Sequence, residues 1–187
     1  MTNKRPAVFL DRDGTLIVEH RDLGNPHLVQ LEQDVVPALQ LLQDAGFELI
    51  VVTNQSGIGR GHYRFLDYLM VQKRLMDLLA HYHITITTTY YCPHHPTHAK
   101  GHFRQTCHCR KPSPGMIEQG IREFDINRQR SWMVGDRLTD MGAAQSAGIP
   151  SILLLTGNGV HDAPHWPLVA PTLLVAVSQW ILPSLHD

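Results

Sequence analysis

Apolar and polar positions follow one another in short blocks along this chain, and the apolar blocks end in small polar or acidic residues. Val8-Phe9-Leu10 stops abruptly at Asp11-Arg12-Asp13-Gly14-Thr15, where glycine frees the backbone to turn. This predicts a buried strand with two carboxylates at its tip. Residues 19–33 are polar and irregular, with a turn at Gly24-Asn25-Pro26, and predict a loop over the site. Val35, Val36, Leu39, Leu42 and Ala45 recur at helical spacing, with Pro37 in the first turn and Gly46 at the C-terminal cap. Residues 47–52 read as a second strand, ending in Thr53-Asn54-Gln55-Ser56-Gly57. Residues 65–81 read as a helix, and residues 84–91, dense in Thr, Ile and Tyr, as a third strand. Ser113-Pro114 starts a helix that runs to about Phe124. Trp132-Met133-Val134-Gly135 is a fourth strand ending at Asp136, followed by a short helix through Ala147 with Gly148 as its cap, and residues 151–155 are a fifth strand. Between Thr172 and Leu182 the apolar pattern fits a short strand or a helix.

Strands that alternate with helices imply right-handed crossovers and an α/β, doubly wound, mainly parallel sheet covered by helices on both faces. Ligands of such sheets bind beyond the carboxyl ends of the strands, where Asp11, Thr53 and Asp136 are expected. A length of 187 residues with 43% hydrophobic and 18% charged residues suits a single domain over residues 1–187. The formal net charge of -1 and the lack of a long basic run argue against nucleic acid or an anionic membrane as partner. The first residues lack a signal-peptide core, and no apolar run reaches the roughly 20 residues of a membrane span. A cytoplasmic monomer is expected.

Four polar stretches carry the candidate chemistry. Asp11 and Asp13, spaced i and i+2, project to the same side of a strand, and two such carboxylates need a cation between them; Mg²⁺ suits oxygen ligands and substrate phosphate. Thr53 and Asn54, with Ser56-Gly57 behind them, can donate hydrogen bonds to phosphate oxygens. Arg110 and Lys111 are adjacent cations suited to a dianion. Asp136 is a further metal-ligand candidate, while Asp140 is open to three roles: supporting a metal-bound water, pairing with Lys111, or favouring the N-terminus of its helix. All three cysteines fall between Cys92 and Cys109, too few for a disulfide framework. Cys92-Pro93-His94 and Cys107-His108-Cys109 offer the Cys₃His composition of a closed, structural zinc site in a loop over about residues 92–109, with His95, His98, His102 and His108 as competing ligands. Such a loop would pin Arg110 and Lys111.

The ordered set Asp11-Arg12-Asp13-Gly14-Thr15, Thr53-Asn54, Lys111 and Gly135-Asp136 resembles the haloacid dehalogenase-like (HAD) phosphohydrolases across nearly the whole chain. The resemblance implies a capless, Rossmann-like enzyme in which Asp11 is the nucleophile that forms an aspartyl-phosphate and Asp13 the general acid and base. It implies Mg²⁺ on Asp11, Asp136 and the main-chain carbonyl of Asp13, with Thr53 and Lys111 completing the catalytic cradle. Within that superfamily, the runs Asn54-Gln55-Ser56-Gly57-Ile58-Gly59-Arg60-Gly61, Cys92-Pro93-His94-His95-Pro96 and Cys107-His108-Cys109-Arg110-Lys111-Pro112 resemble the D-glycero-D-manno-heptose-1,7-bisphosphate 7-phosphatase family. That family acts in the synthesis of nucleotide-activated heptose for lipopolysaccharide. It implies zinc on Cys92, His94, Cys107 and Cys109. Its small-molecule sugar bisphosphate is expected to meet Glu19, His20, Arg21, Asp22, Thr53, Asn54, Gln55, Ser56, Arg110, Lys111 and Arg137. Glu19-His20-Arg21-Asp22 departs from the Asp-His-Gly-Tyr usual there. The alternatives are a histidinol-phosphate phosphatase of the same subgroup and, outside enzymes, a zinc-stabilised binding scaffold.

Overall fold

The computed structural model describes residues 4–185. Six strands form one sheet: β1 (Ala7–Leu10), β2 (Glu48–Asn54), β3 (Thr88–Cys92), β4 (Trp132–Gly135), β5 (Ser151–Leu154) and β6 (Val169–Ala170). Their order is β3-β2-β1-β4-β5-β6 and every pairing is parallel. The chain moves outward from β1 in one direction through β3, then returns to the other side of β1 with β4. The order therefore reverses between β1 and β4, and a crevice opens beyond their carboxyl ends.

The alternation of side chains along each strand divides the core into two layers. Val8 and Leu10 of β1, Leu49 and Val51 of β2 and Val134 of β4 face one way. They are covered by α1 (Val35–Asp44), α3 (Phe65–His81) and α7 (Leu173–Ala176), whose apolar stripes supply Leu39, Leu75 and Leu173. Ala7, Phe9, Ile50, Val52 and Met133 face the other way, against Met116 and Ile117 of α4 (Gly115–Glu123) and Ala143 and Ala144 of α5 (Leu138–Ala147). The remaining helices are short: α2 (Ser56–Arg60) and α6 (Gly159–Asp162).

Several boundaries differ from the sequence reading. The third strand begins at Thr88 rather than residue 84, because His83 adopts φ 59° and Ile84 turns its amide back to Leu79 O. The sheet register starts only at Ile50 opposite Thr88. The helix expected from Ser113 begins at Gly115, since Ser113 N–H still closes a turn onto Arg110 O. The two glycines in α2 hid that helix from propensity. In the tail, residues 173–181 are helical, as α7 continued by a π-helical turn over Val177–Ile181, while the added strand is β6, upstream of the expected segment. Residues 19–33 include a short 3₁₀ turn, Pro26–Leu28, and are tied at their base by Val18 N–H to Gln30 O.

Candidate active site and metal-binding cluster

The crevice between β1 and β4 holds Asp11, Lys111, Asp136 and Asp140. Asp11 and Asp136 lie just beyond β1 and β4, Lys111 shortly before α4, and Asp140 in the first turn of α5. The Lys111 ammonium, 3% exposed, donates to Asp11 Oδ1 at 2.7 Å and to Val52 O at 2.7 Å. Its third neighbour is Asp140 Oδ1 at 2.6 Å, an ion-pair contact not aligned as a hydrogen bond. Burial pulls the Lys111 ammonium down, but Asp11 and Asp140 outweigh it and the net shift is upward. This lysine stays charged.

One cation does not balance the carboxylates around it. Oxygens of Asp11, Asp136 and Asp140 lie within 4.8 Å of one another. Burial pushes Asp136 up to about 7, and the Asp11 charge adds to the effect. Burial pushes Asp140 up as well, against the pull of Lys111. Asp136 Oδ2 accepts from Asn158 N–H at 2.7 Å and Asn158 Nδ2 at 3.2 Å, whereas buried Oδ1 has no partner among the described residues. Gly14 and Gly157 leave room for this carboxylate: a Cβ on either would stand 2.4 or 2.3 Å from Oδ2. An orphaned oxygen among excess carboxylates is the donor set of a hard divalent cation such as Mg²⁺. Asp140 also accepts from Arg137 N–H at 3.1 Å, at the start of α5. Asp140 thus pairs with Lys111 and caps its helix, and its place in the carboxylate cluster leaves it near a metal held there.

Asp13 stands beside this cluster. Arg12, fully buried, grips its carboxylate with Nε on Oδ2 and an Nη on Oδ1, both at 3.0 Å, and rests over the Tyr68 ring. Gln55 adds a hydrogen bond from Nε2 to Asp13 Oδ2 at 2.7 Å. A cleft of about 350 Å³ opens above these groups, walled by residues 19–23, residues 53–57, Arg60, Tyr63, His95, Arg110, Arg137 and Thr139. Glu19 lies 3.5 Å from Arg137, and Asp22 binds both Arg60 and His62. Arg21 and Arg110 have no carboxylate partner among the described residues, so the cleft offers cationic groups to an anion.

The second cluster lies behind Lys111. Cys92 Sγ, His94 Nδ1, Cys107 Sγ and Cys109 Sγ approach one another at 3.2 to 3.6 Å. The three thiols are free of disulfides. Such separations are close to the ~3.8 Å edges of a tetrahedron of thiolates about zinc. Of the competing histidines, His108 pairs with Glu118 at 2.8 Å and His95 Nδ1 accepts main-chain N–H groups, so His94 alone joins the cysteines. This cluster could hold a metal.

Comparison with known proteins agrees with the geometry. Residues 108–178 match the HAD-hydrolase-like family. The D-glycero-beta-D-manno-heptose-1,7-bisphosphate 7-phosphatase of Yersinia pestis is 39% identical over 188 aligned residues, covering 100% of this chain and 95% of the relative. The enzyme of that name from Escherichia coli K12 is 38% identical, covering 100% and 93%. The chain belongs to the D-glycero-beta-D-manno-heptose-1,7-bisphosphate 7-phosphatase family. It is a phosphoric monoester hydrolase. A crystal structure of the family's D,D-heptose 1.7-bisphosphate phosphatase from B. bronchiseptica, complexed with magnesium and phosphate, superposes with a TM-score of 0.85 at 27% identity, covering 95% of this chain and 99% of that one.

Every side chain expected at the family's substrate lines the cleft or its floor, and Asn54 and Asp22 among them are turned to bracing other residues. Asn54 accepts from Lys111 N–H at 3.1 Å and donates to Lys111 O at 3.0 Å, so its head braces the lysine main chain. Asp22 gives its two oxygens to Arg60 and His62 and so ties the loop of residues 19–33 to α2. Arg12, Tyr63 and Asn158 were not singled out from sequence. An arginine between two aspartates reads as surface charge, and the other two touch the site only through tertiary contacts. Among the described residues, no helix is long and apolar enough to cross a membrane.

Proposed function

We propose that this chain hydrolyses the 7-phosphate of D-glycero-beta-D-manno-heptose 1,7-bisphosphate through an aspartyl-phosphate on Asp11. The observation that carries the reading is the buried Lys111 ammonium bridging Asp11 and Asp140 beneath an open, cation-rich cleft. Lys111 holds Asp11 Oδ1 and balances its charge, so the carboxylate is fixed for attack on phosphorus. As the new Asp11 O–P bond forms, the bond from phosphorus to the leaving oxygen breaks and Asp13 protonates the departing alkoxide. Asp13 then takes a proton from the water that attacks phosphorus, which releases inorganic phosphate and restores Asp11. Thr53 Oγ1 accepts from Gln55 at 2.8 Å, which leaves its own hydrogen for a phosphoryl oxygen. Mg²⁺ held by Asp11, Asp136 and the main-chain carbonyl of Asp13 would supply the divalent charge that neutralises the transferring group. Arg110 and Arg21 suit the non-reacting end of a bisphosphate, and Glu19 and His20 face the sugar.

Zn²⁺ on Cys92, His94, Cys107 and Cys109 would be structural, because four protein ligands leave no open position. Free thiols suit the reducing cytoplasm. We assign the chain to nucleotide-activated heptose synthesis as a single-domain, capless monomer. The beta anomer is favoured because the relatives are named for it.

The test is Mg²⁺-dependent phosphate release from the alpha and beta anomers of the heptose bisphosphate and from histidinol phosphate. A preference of about a hundredfold in kcat/KM for the beta anomer, about 2.7 kcal/mol of transition-state discrimination, is expected. Preference for histidinol phosphate would move the substrate and keep the mechanism. No turnover by folded, metal-loaded protein would favour a scaffold.

A further inference from the structure

We propose that Tyr63 is a positioning residue for Asp13, acting through the side-chain amide of Gln55. The inference rests on the reading of Asp13 as the general acid and base.

The Tyr63 hydroxyl lies 2.6 Å from Gln55 Oε1, and Gln55 Nε2 lies 2.7 Å from Asp13 Oδ2 and 2.8 Å from Thr53 Oγ1. The direction of this chain of hydrogen bonds is forced. An ionised carboxylate only accepts, so the end of the Gln55 amide that faces Asp13 must be its NH₂. The carbonyl end then faces Tyr63, and the phenol must donate. The carboxylate thus sets which way round the amide sits, and the phenol holds its other end in place. A flipped amide would set a carbonyl oxygen against the Asp13 carboxylate. The amide is 3% exposed, so water does not readily replace a lost partner.

The consequence at Asp13 is an asymmetry between its two oxygens. Oδ2 receives Gln55 Nε2 at 2.7 Å and Arg12 Nε at 3.0 Å, with an Arg12 Nη at 2.9 Å, while Oδ1 has only the Arg12 Nη contact at 3.0 Å. Donors gathered on Oδ2 fix the plane of the carboxyl and leave Oδ1 as the oxygen to meet the leaving group. A carboxyl free to rotate would spend less time in line with the proton it must deliver.

Ring packing, not the hydroxyl, places Tyr63. A Cβ on Gly57 would stand 2.2 Å from Tyr63 Cε1, and one on Gly24 2.6 Å from Tyr63 Cβ. The ring fills a slot that exists because both neighbours lack side chains. The slot joins the loop of residues 19–33 to α2. Tyr63→Phe therefore keeps the ring in its slot and removes the donor alone.

The experiment compares Tyr63→Phe and Asp13→Asn with the unaltered full chain, with Mg²⁺ present, on two substrates. The heptose bisphosphate releases an alkoxide that needs a proton; para-nitrophenyl phosphate releases a stabilised phenolate that does not. Because the base step is common to both substrates, the quantity compared is the single-turnover rate of leaving-group release: Tyr63→Phe should lower it about fivefold to tenfold on the bisphosphate and less than about twofold on the aryl ester, with both KM values within about twofold. Asp13→Asn should show the same selectivity with a larger loss. Equal losses on both esters in Tyr63→Phe, or no loss on either, with Asp13→Asn still selective, would overturn the role of Tyr63 alone. Equal losses in Asp13→Asn would overturn the acid role of Asp13 and the positioning role with it.

Discussion

The two clusters of candidate metal ligands solve opposite problems. Around Asp11, three buried carboxylates converge, one lysine pairs with two of them, and an oxygen of Asp136 is left without a partner among the described residues beneath an open cleft. Around Cys92, four ligands converge at 3.2 to 3.6 Å and complete a tetrahedron among themselves. Hard oxygens with room left over suit a cation that must meet substrate, and soft ligands that close the shell suit one that holds a loop. The two are mechanically joined. Cys109 precedes Lys111 by two residues, Arg110 donates to His94 O at 3.0 Å, and Asn54 clasps the Lys111 main chain from the other side. The closed cluster thus anchors the lysine on which the open one depends.

The sharpest break in this pairing is Asp11→Asn. It removes the proposed nucleophile and should lower turnover by roughly 10⁴-fold or more with little change in thermal unfolding, measured by phosphate release and calorimetry. Near-normal turnover would remove Asp11 from its role. Cys107→Ser attacks the other member. Structural zinc binding is worth on the order of 10 kcal/mol in small peptides, so bound zinc should fall and the melting temperature drop, with activity lost as Lys111 shifts. Unchanged zinc stoichiometry by atomic absorption would exclude Cys107 as a ligand.

Asn54→Ala tests the link between the clusters. Zinc content should be unchanged, while kcat falls about tenfold because Lys111 loses two main-chain restraints; a KM effect alone would mean that Asn54 binds substrate instead. The smallest effect is in pH. Burial raises Asp136 to about 7, so in metal-free protein its contribution to stability is full below the ordinary carboxylate range and is lost as pH rises through about 7. Mg²⁺ competes with that proton. Its stabilising shift in melting temperature should grow between about pH 5.5 and 8, whereas a shift independent of pH would separate Asp136 from the metal.

Much of the fold was legible because each strand carries its own boundary. Val8-Phe9-Leu10 before Asp11, and Trp132-Met133-Val134-Gly135 before Asp136, show an apolar run and a polar tip in consecutive residues. The start of β3 was less legible: Ile84 is as apolar as a strand residue, but it is buried at the end of α3, and only pairing with β2 decides where the strand begins. The two residues of β6 form because β5 lies beside them.

The sequence by itself determined the chemical types in the site, since carboxylates, lysine and thiols appear in order at strand ends and in one cysteine-bearing loop. What only the tertiary structure decided is how those groups are spent. Asn54 braces Lys111, Asp22 ties a loop to Arg60 and His62, and Gln55 couples Tyr63 to Asp13. Hydrogen-bond partners depend on angles and distances of a few ångströms between segments far apart in the chain, and linear spacing does not encode them.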